Sequence, residues 1–188
     1  MLNKRTINKY TNPSSDNYRS KLDRNYTVMT ITVIGFFIGF GLCIGFYSYT
    51  LINIFELSKF MVLFGIVGFL IPLRFYNKWF HFIKYEMIIF NVMGVAPFLT
   101  GLFLFLNFTF VSNSYTHYYK IEKIYFEGES SFKSMGVVLE NNFFSGERKI
   151  VELTDVSPND LVEKKFLKLT ISEGIFGYDV IKEKILIK

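Results

Sequence analysis

Charge is absent from two long stretches of this chain, and the pattern of apolar residues in and around them predicts its helices. No Asp, Glu, Lys or Arg occurs between Arg24 and Glu56, an uncharged run of 31 positions. A bilayer is crossed by roughly 20 predominantly apolar residues, so this run predicts a first membrane helix over 28–46. A third helix is predicted over 87–110, inside an uncharged run of 33 positions that ends at Lys120. Gly94, Ala96, Pro97 and Gly101 within it predict a bend near Pro97. Between these two lies a weaker segment, because only residues 60–73, 14 positions, are uncharged. Extended to 55–75 it crosses if Glu56 and Lys59, three apart on a helix, reach the interface and partner each other. A re-entrant hairpin is the alternative, and Pro72 kinks or ends the segment.

After about residue 112 the period changes from helical to alternating. In Phe166–Ser172, Leu167, Leu169 and Ile171 fall on one face and Lys168, Thr170 and Ser172 on the other. Similar runs predict strands over 118–127, 135–140, 149–154, 165–172 and 179–187. They are separated by Gly, Asn and Ser turn signals. Ser157-Pro158 predicts one short helix between the third and fourth strands. The expected fold is therefore a membrane α-helical unit of three transmembrane helices plus a small C-terminal all-β domain, a barrel or sandwich of about five strands. Its domains are a disordered basic tail (1–25), the helical unit (26–111) and the β domain (112–188).

Charge adds orientation. The net charge of +5 is uneven: six cations precede residue 26, whereas 112–188 holds 11 basic and 12 acidic residues. With three spans, the tail and the second link (Arg74, Lys78, Lys84) carry nine cations, against three (Lys59, Lys120, Lys123) on the other side. Cation excess marks the cytoplasmic side. The N-terminus is thus expected in the cytoplasm and the β domain outside it. A single Ala and no Gln, beside abundant Lys, Asn, Ile and Phe, suggest an A+T-rich bacterial genome, hence a bacterial inner (cytoplasmic) membrane.

Glycines and one amide are the candidate helix-packing residues: Gly35, Gly39, Gly41 and Gly45 in the first helix, and Gly94, Gly101 and Asn91 in the third. The pairs Gly35/Gly39 and Gly41/Gly45 each allow a close backbone approach, but they point about 200° apart around the axis. Packing within the chain is the expectation, and self-association through one face the alternative. Cys43, the single cysteine, excludes an internal disulfide.

Catalytic, metal and cofactor signatures are missing. His81 and His117 lie far apart in sequence without ligands at zinc spacing. Gly35-x-x-x-Gly39-x-Gly41 lacks the lysine and strand context of a phosphate loop. Ser130-Ser131-Phe132-Lys133 and Ser15-Asp16-Asn17 match two fragments of penicillin-recognising motifs, but in the wrong order and without K-T-G. Six scattered cations make a poor nucleic-acid arm. No charge falls within the predicted helix cores, which argues against coupled transport. The expected function is a membrane-anchored binding or accessory module, not an enzyme, without cofactors, metals or nucleic acid. Its partners are the bilayer and an envelope protein or component contacted by the β domain. The alternatives are a small oligomeric channel or transporter and, for an even number of spans, a cytosolic ligand sensor.

Overall fold

A computed structural model describes residues 13–71, 84–127, 134–146, 149–153 and 164–188. Helix α1 (Pro13–Tyr47) is followed by α2 (Ile54–Leu70), α3 (Lys84–Ile89), a π-helical segment (Phe90–Val95) and α4 (Ala96–Thr109). Five strands follow: β1 (Val111–Glu127), β2 (Ser134–Leu139), β3 (Val151–Leu153), β4 (Phe166–Gly174) and β5 (Asp179–Ile187). The expected short helix after Ser157, the link over 72–83 and residues 1–12 of the tail lie outside the described residues.

Two helical stretches, Tyr26–Tyr47 and Tyr85–Thr109, are long and apolar enough to cross a membrane. The third expected span is shorter than predicted. Helix α2 stops at Leu70 after 17 residues, about 25 Å of rise against a hydrocarbon layer of about 30 Å. The cause is local. Ile71 precedes Pro72, whose ring disfavours helical backbone at the residue before it, and Ile71 is extended (φ −70°, ψ 119°). At its other end α2 is capped by the Asn53 side chain, which accepts the Phe55 N–H at 2.9 Å.

Helix α1 starts 15 residues earlier than the expected boundary at Val28, taking residues 13–25 out of the expected disordered tail. Pro13 suits a first helical position, where no N–H is needed, and the Ser-Ser-Asp that follows it suits a first turn. The bend expected at Pro97 takes the form of a π segment just before it. Ala96 donates its N–H to the Asn91 carbonyl, five residues back, widening the turn where proline removes a donor.

Helices α1 and α4 run side by side in the same direction, since their contacts advance together. Gly35 meets Gly94, Gly39 meets Pro97 and Phe98, and the Phe46 ring meets Phe105 and Phe108. Helix α2 runs the opposite way along α4, with Phe60 on Phe103, Gly65 on Ala96 and Gly68 on Asn91.

The strands form one curled antiparallel sheet, a half-barrel, in the order β3-β2-β1-β4-β5. β1, 17 residues long, serves two neighbours: Val111–Lys120 pairs β4 and Ile121–Glu127 pairs β2. Irregularities at Ser112/Ser114 and Ile121/Lys123 bend it between them. Leu167, Leu169 and Ile171 of β4 are fully buried. With Ile181, Val137, Leu139, Val151 and Phe144 they form the sheet's core. Leu51, from the loop between α1 and α2, is buried in that same core.

Candidate functional site

The helix-packing candidates divide into two groups. A Cβ on Gly39 would overlap the Pro97–Phe98 backbone, and one on Gly101 would lie 2.6 Å from the Gly39 carbonyl oxygen. Gly35 and Gly94 face each other more loosely, with atoms 3.6 to 3.9 Å from the Cβ position of Gly35. These four form the seam between α1 and the π–α4 helix. Gly41 and Gly45 meet nothing within 4 Å. Cys43 is buried on the seam side, with Sγ 3.6 Å from the Pro97 carbonyl oxygen. Asn91 is fully buried where α2 crosses, and its amide occupies the space that a side chain at Gly68 would need.

A joint ties the helices to the sheet. Asn107, fully buried near the end of α4, accepts the Phe176 N–H at 3.1 Å and donates to the Tyr178 carbonyl at 2.9 Å. Gly174 leaves room for that amide, because a Cβ there would overlap it. A bulge in β5 between Ile181 and Glu183 leaves Lys182 unpaired with β4. Its ammonium donates to the Phe108 carbonyl and stands 3.7 Å over the Phe108 ring. That carbonyl is among the last of α4, where a cation is favoured. Burial pushes the Lys182 ammonium down from its ordinary range.

The loop between α1 and α2 makes the second half of the joint. Leu51 N–H donates to Asp179 O and Ile181 N–H to Tyr49 O, both at 2.8 Å, with Thr50 bridging Val180. Residues 49–51 thus lie against the outer edge of β5 through an isolated antiparallel bridge.

Away from the joint, the β domain carries two surfaces that could receive a ligand. Tyr115, His117 and Tyr119 follow one another along β1, and Phe143 stands over the first two, 6.4 Å from Tyr115 and 6.0 Å from His117 between ring centres. The Tyr115 hydroxyl donates to Asp179 Oδ2 at 2.7 Å. Burial, and then this bond to a carboxylate, push the phenol well above its ordinary range. The second surface is a groove of about 310 Å³ lined by Lys120, Lys123, Lys164, Lys165, Glu122 and Phe166. Lys120 is committed to Glu140 at 3.0 Å. Among the described residues no group of three His, Cys, Asp or Glu could hold a metal.

Tyr115→Phe should cost about 1 kcal/mol, the usual net value of one hydrogen bond. Because the folded phenol ionises above the unfolded one, its contribution is complete below the ordinary tyrosine pKa of about 10 and fades as pH rises past it. Thermal unfolding followed from neutral to strongly alkaline pH should therefore show a shallower alkaline decline in Tyr115→Phe than in the wild type.

Comparison with protein-family models, curated proteins and solved structures gave no match. Sequence reasoning singled out glycines on both helices, of which Gly35, Gly39, Gly94 and Gly101 lie between α1 and the π–α4 helix, but it missed the joint. Asn107 stood out only as a polar residue in an apolar helix, and its partners are backbone atoms some 70 residues away.

Proposed function

We propose that this chain is a membrane-anchored binding or accessory module of a bacterial cytoplasmic membrane. In this reading the helices cross three times, the N-terminus is cytoplasmic, and the half-barrel faces another envelope protein or component on the far side. The observation that carries it is the direction of the helices. If α1 and the α3–α4 helix both cross, side by side and in the same direction, the chain must return between them, and α2 runs the opposite way beside α4. At 17 residues α2 is short, but Lys59 in its first turns can reach the headgroups, Glu56 is hydrogen-bonded to Tyr178, and the bilayer can thin around the helix.

Two further observations support a lipid surround. Only 22% of the most apolar window of α1 is buried, unlike the core helix of a soluble protein, and Ile34, Phe37, Ile38 and Ile44 are exposed. Thr30, Ser58 and Thr109, although exposed, turn their hydroxyls back to carbonyls four residues earlier. This arrangement satisfies these three hydroxyl donors within their own helices, as a hydrocarbon surround requires. On the sheet, the exposed rings of Tyr118 and Phe143 are suited to recognition of a protein surface.

Alkaline phosphatase fused after Lys188 should be active, and green fluorescent protein fused there should be dark. Bright fluorescence at that position would give an even number of crossings and overturn the reading.

A further inference from the structure

We infer that the tip of the β4–β5 hairpin, Ile175–Gly177, is inserted into the bilayer at the boundary between headgroups and acyl chains, so that the half-barrel is seated in the membrane as well as tethered to it. The inference rests on the membrane-spanning reading above and adds a lipid-binding element on the sheet itself.

Depth is the first observation. The Phe176 ring stacks on Phe103, with centres 4.7 Å apart and planes 22° apart. Phe103 lies six residues before the end of α4, about 9 Å back along the helix. Phe103 also stacks on Phe60, at 4.8 Å, which is six residues into α2. Both helices thus place the Phe176 ring about two turns inside their ends. Glu56, which marks the polar end of α2, is one turn nearer the sheet.

The second observation is composition against exposure. Ile175 is 62% exposed and Phe176 45% exposed, and no charge lies between Glu173 and Asp179. Tyr178 follows the tip, its ring against Phe60 and Phe103, at the level where amphipathic rings collect in membranes. Phe55 on α2 and Phe98 and Phe105 on α4 are exposed as well.

The third observation is the backbone. Non-helical chain meets lipid only when its polar groups are satisfied by protein. The three N–H donors of the tip are: Ile175 N–H donates to Phe110 O at 3.0 Å, Phe176 N–H to Asn107 Oδ1 at 3.1 Å and Gly177 N–H to Gly174 O at 2.9 Å. Gly177 has φ +81°, which a side chain would strain. The turn therefore exposes the Ile175 side chain and one side of the Phe176 ring while its N–H groups are bonded within the protein.

Depth-dependent quenching tests this on the full chain. With the native Trp79 replaced by Phe, Ile175→Trp and, separately, Phe37→Trp (68% exposed in mid-α1) are reconstituted into phosphatidylcholine vesicles. The lipids are brominated either near the carboxyl end of the acyl chain or near its methyl end. Tryptophan at 175 should emit at shortened wavelength and lose more intensity to the shallow bromines than to the deep ones. Tryptophan at 37 should show the reverse order. Quenching at 37 with none at 175 would overturn the insertion and leave the spanning helices standing. Absence of quenching at both positions would overturn both readings. Should Ile175→Trp fail to fold, Phe176→Trp, which can keep the stack on Phe103, is read in the same way.

Discussion

Leucine in place of Gly39 should separate α1 from α4 and destabilise the helical unit by about 3 kcal/mol, the upper end of overpacking costs, because the added side chain meets fixed backbone. The collision is with Pro97 and Phe98, and proline's fixed φ leaves that stretch little room to shift. The same substitution at Gly41 or Gly45 enters open space and should leave thermal unfolding in detergent unchanged within about 0.5 kcal/mol. Equal damage at Gly39 and Gly41 would show that the seam is misplaced. Cross-linking of wild type and variants separates the alternative of self-association: an oligomer lost only in Gly41→Leu would put that contact on the outward face.

Asn107→Leu should cost about 2–4 kcal/mol, since it strands the Phe176 N–H and removes a donor from the Tyr178 carbonyl in a buried site. The leucine also lacks the planar shape that Gly174 accommodates. Loss of the joint should be local before it is global, so proteolysis at the β4–β5 turn should accelerate well below the unfolding temperature. Unchanged proteolysis together with an unchanged midpoint would mean that the hairpin is held chiefly by the Phe176–Phe103 stack.

How much of this was legible follows from where each interaction leaves its mark. Alternation in Phe166–Ser172 identified β4 because burial of Leu167, Leu169 and Ile171 imposes a period of two on the sequence. The opposite facing of Gly35/Gly39 and Gly41/Gly45 was readable for a similar reason, being fixed by helical angle alone. The start of β1 was not. The first strand was expected from 118, whereas β1 starts at Val111, because Ser112, Asn113, Ser114 and Thr116 give neither charge alternation nor an apolar face to read. The shortening of α2 was half-visible: Pro72 was marked as a stop, but its effect on the residue before it was underweighted. Asn107, Lys182 and residues 49–51 bind backbone atoms. Backbone partners carry no residue-type signature, and that kept the joint hidden.

The bridge between residues 49–51 and β5 also bears on the order in which the fold can close. Thr50 bridges Val180, so the loop between α1 and α2 pairs with a segment 130 residues further along the chain. Closing so long a loop is entropically costly, though the cost grows only slowly with length, and distant pairings of this kind slow folding. Until β5 emerges, Leu51 has no completed core to enter and the end of α1 has no sheet to lean on. The helices can form locally, but the sheet becomes whole only when late and early segments meet, so a chain lacking β5 exposes Leu51 and the open edge of β4.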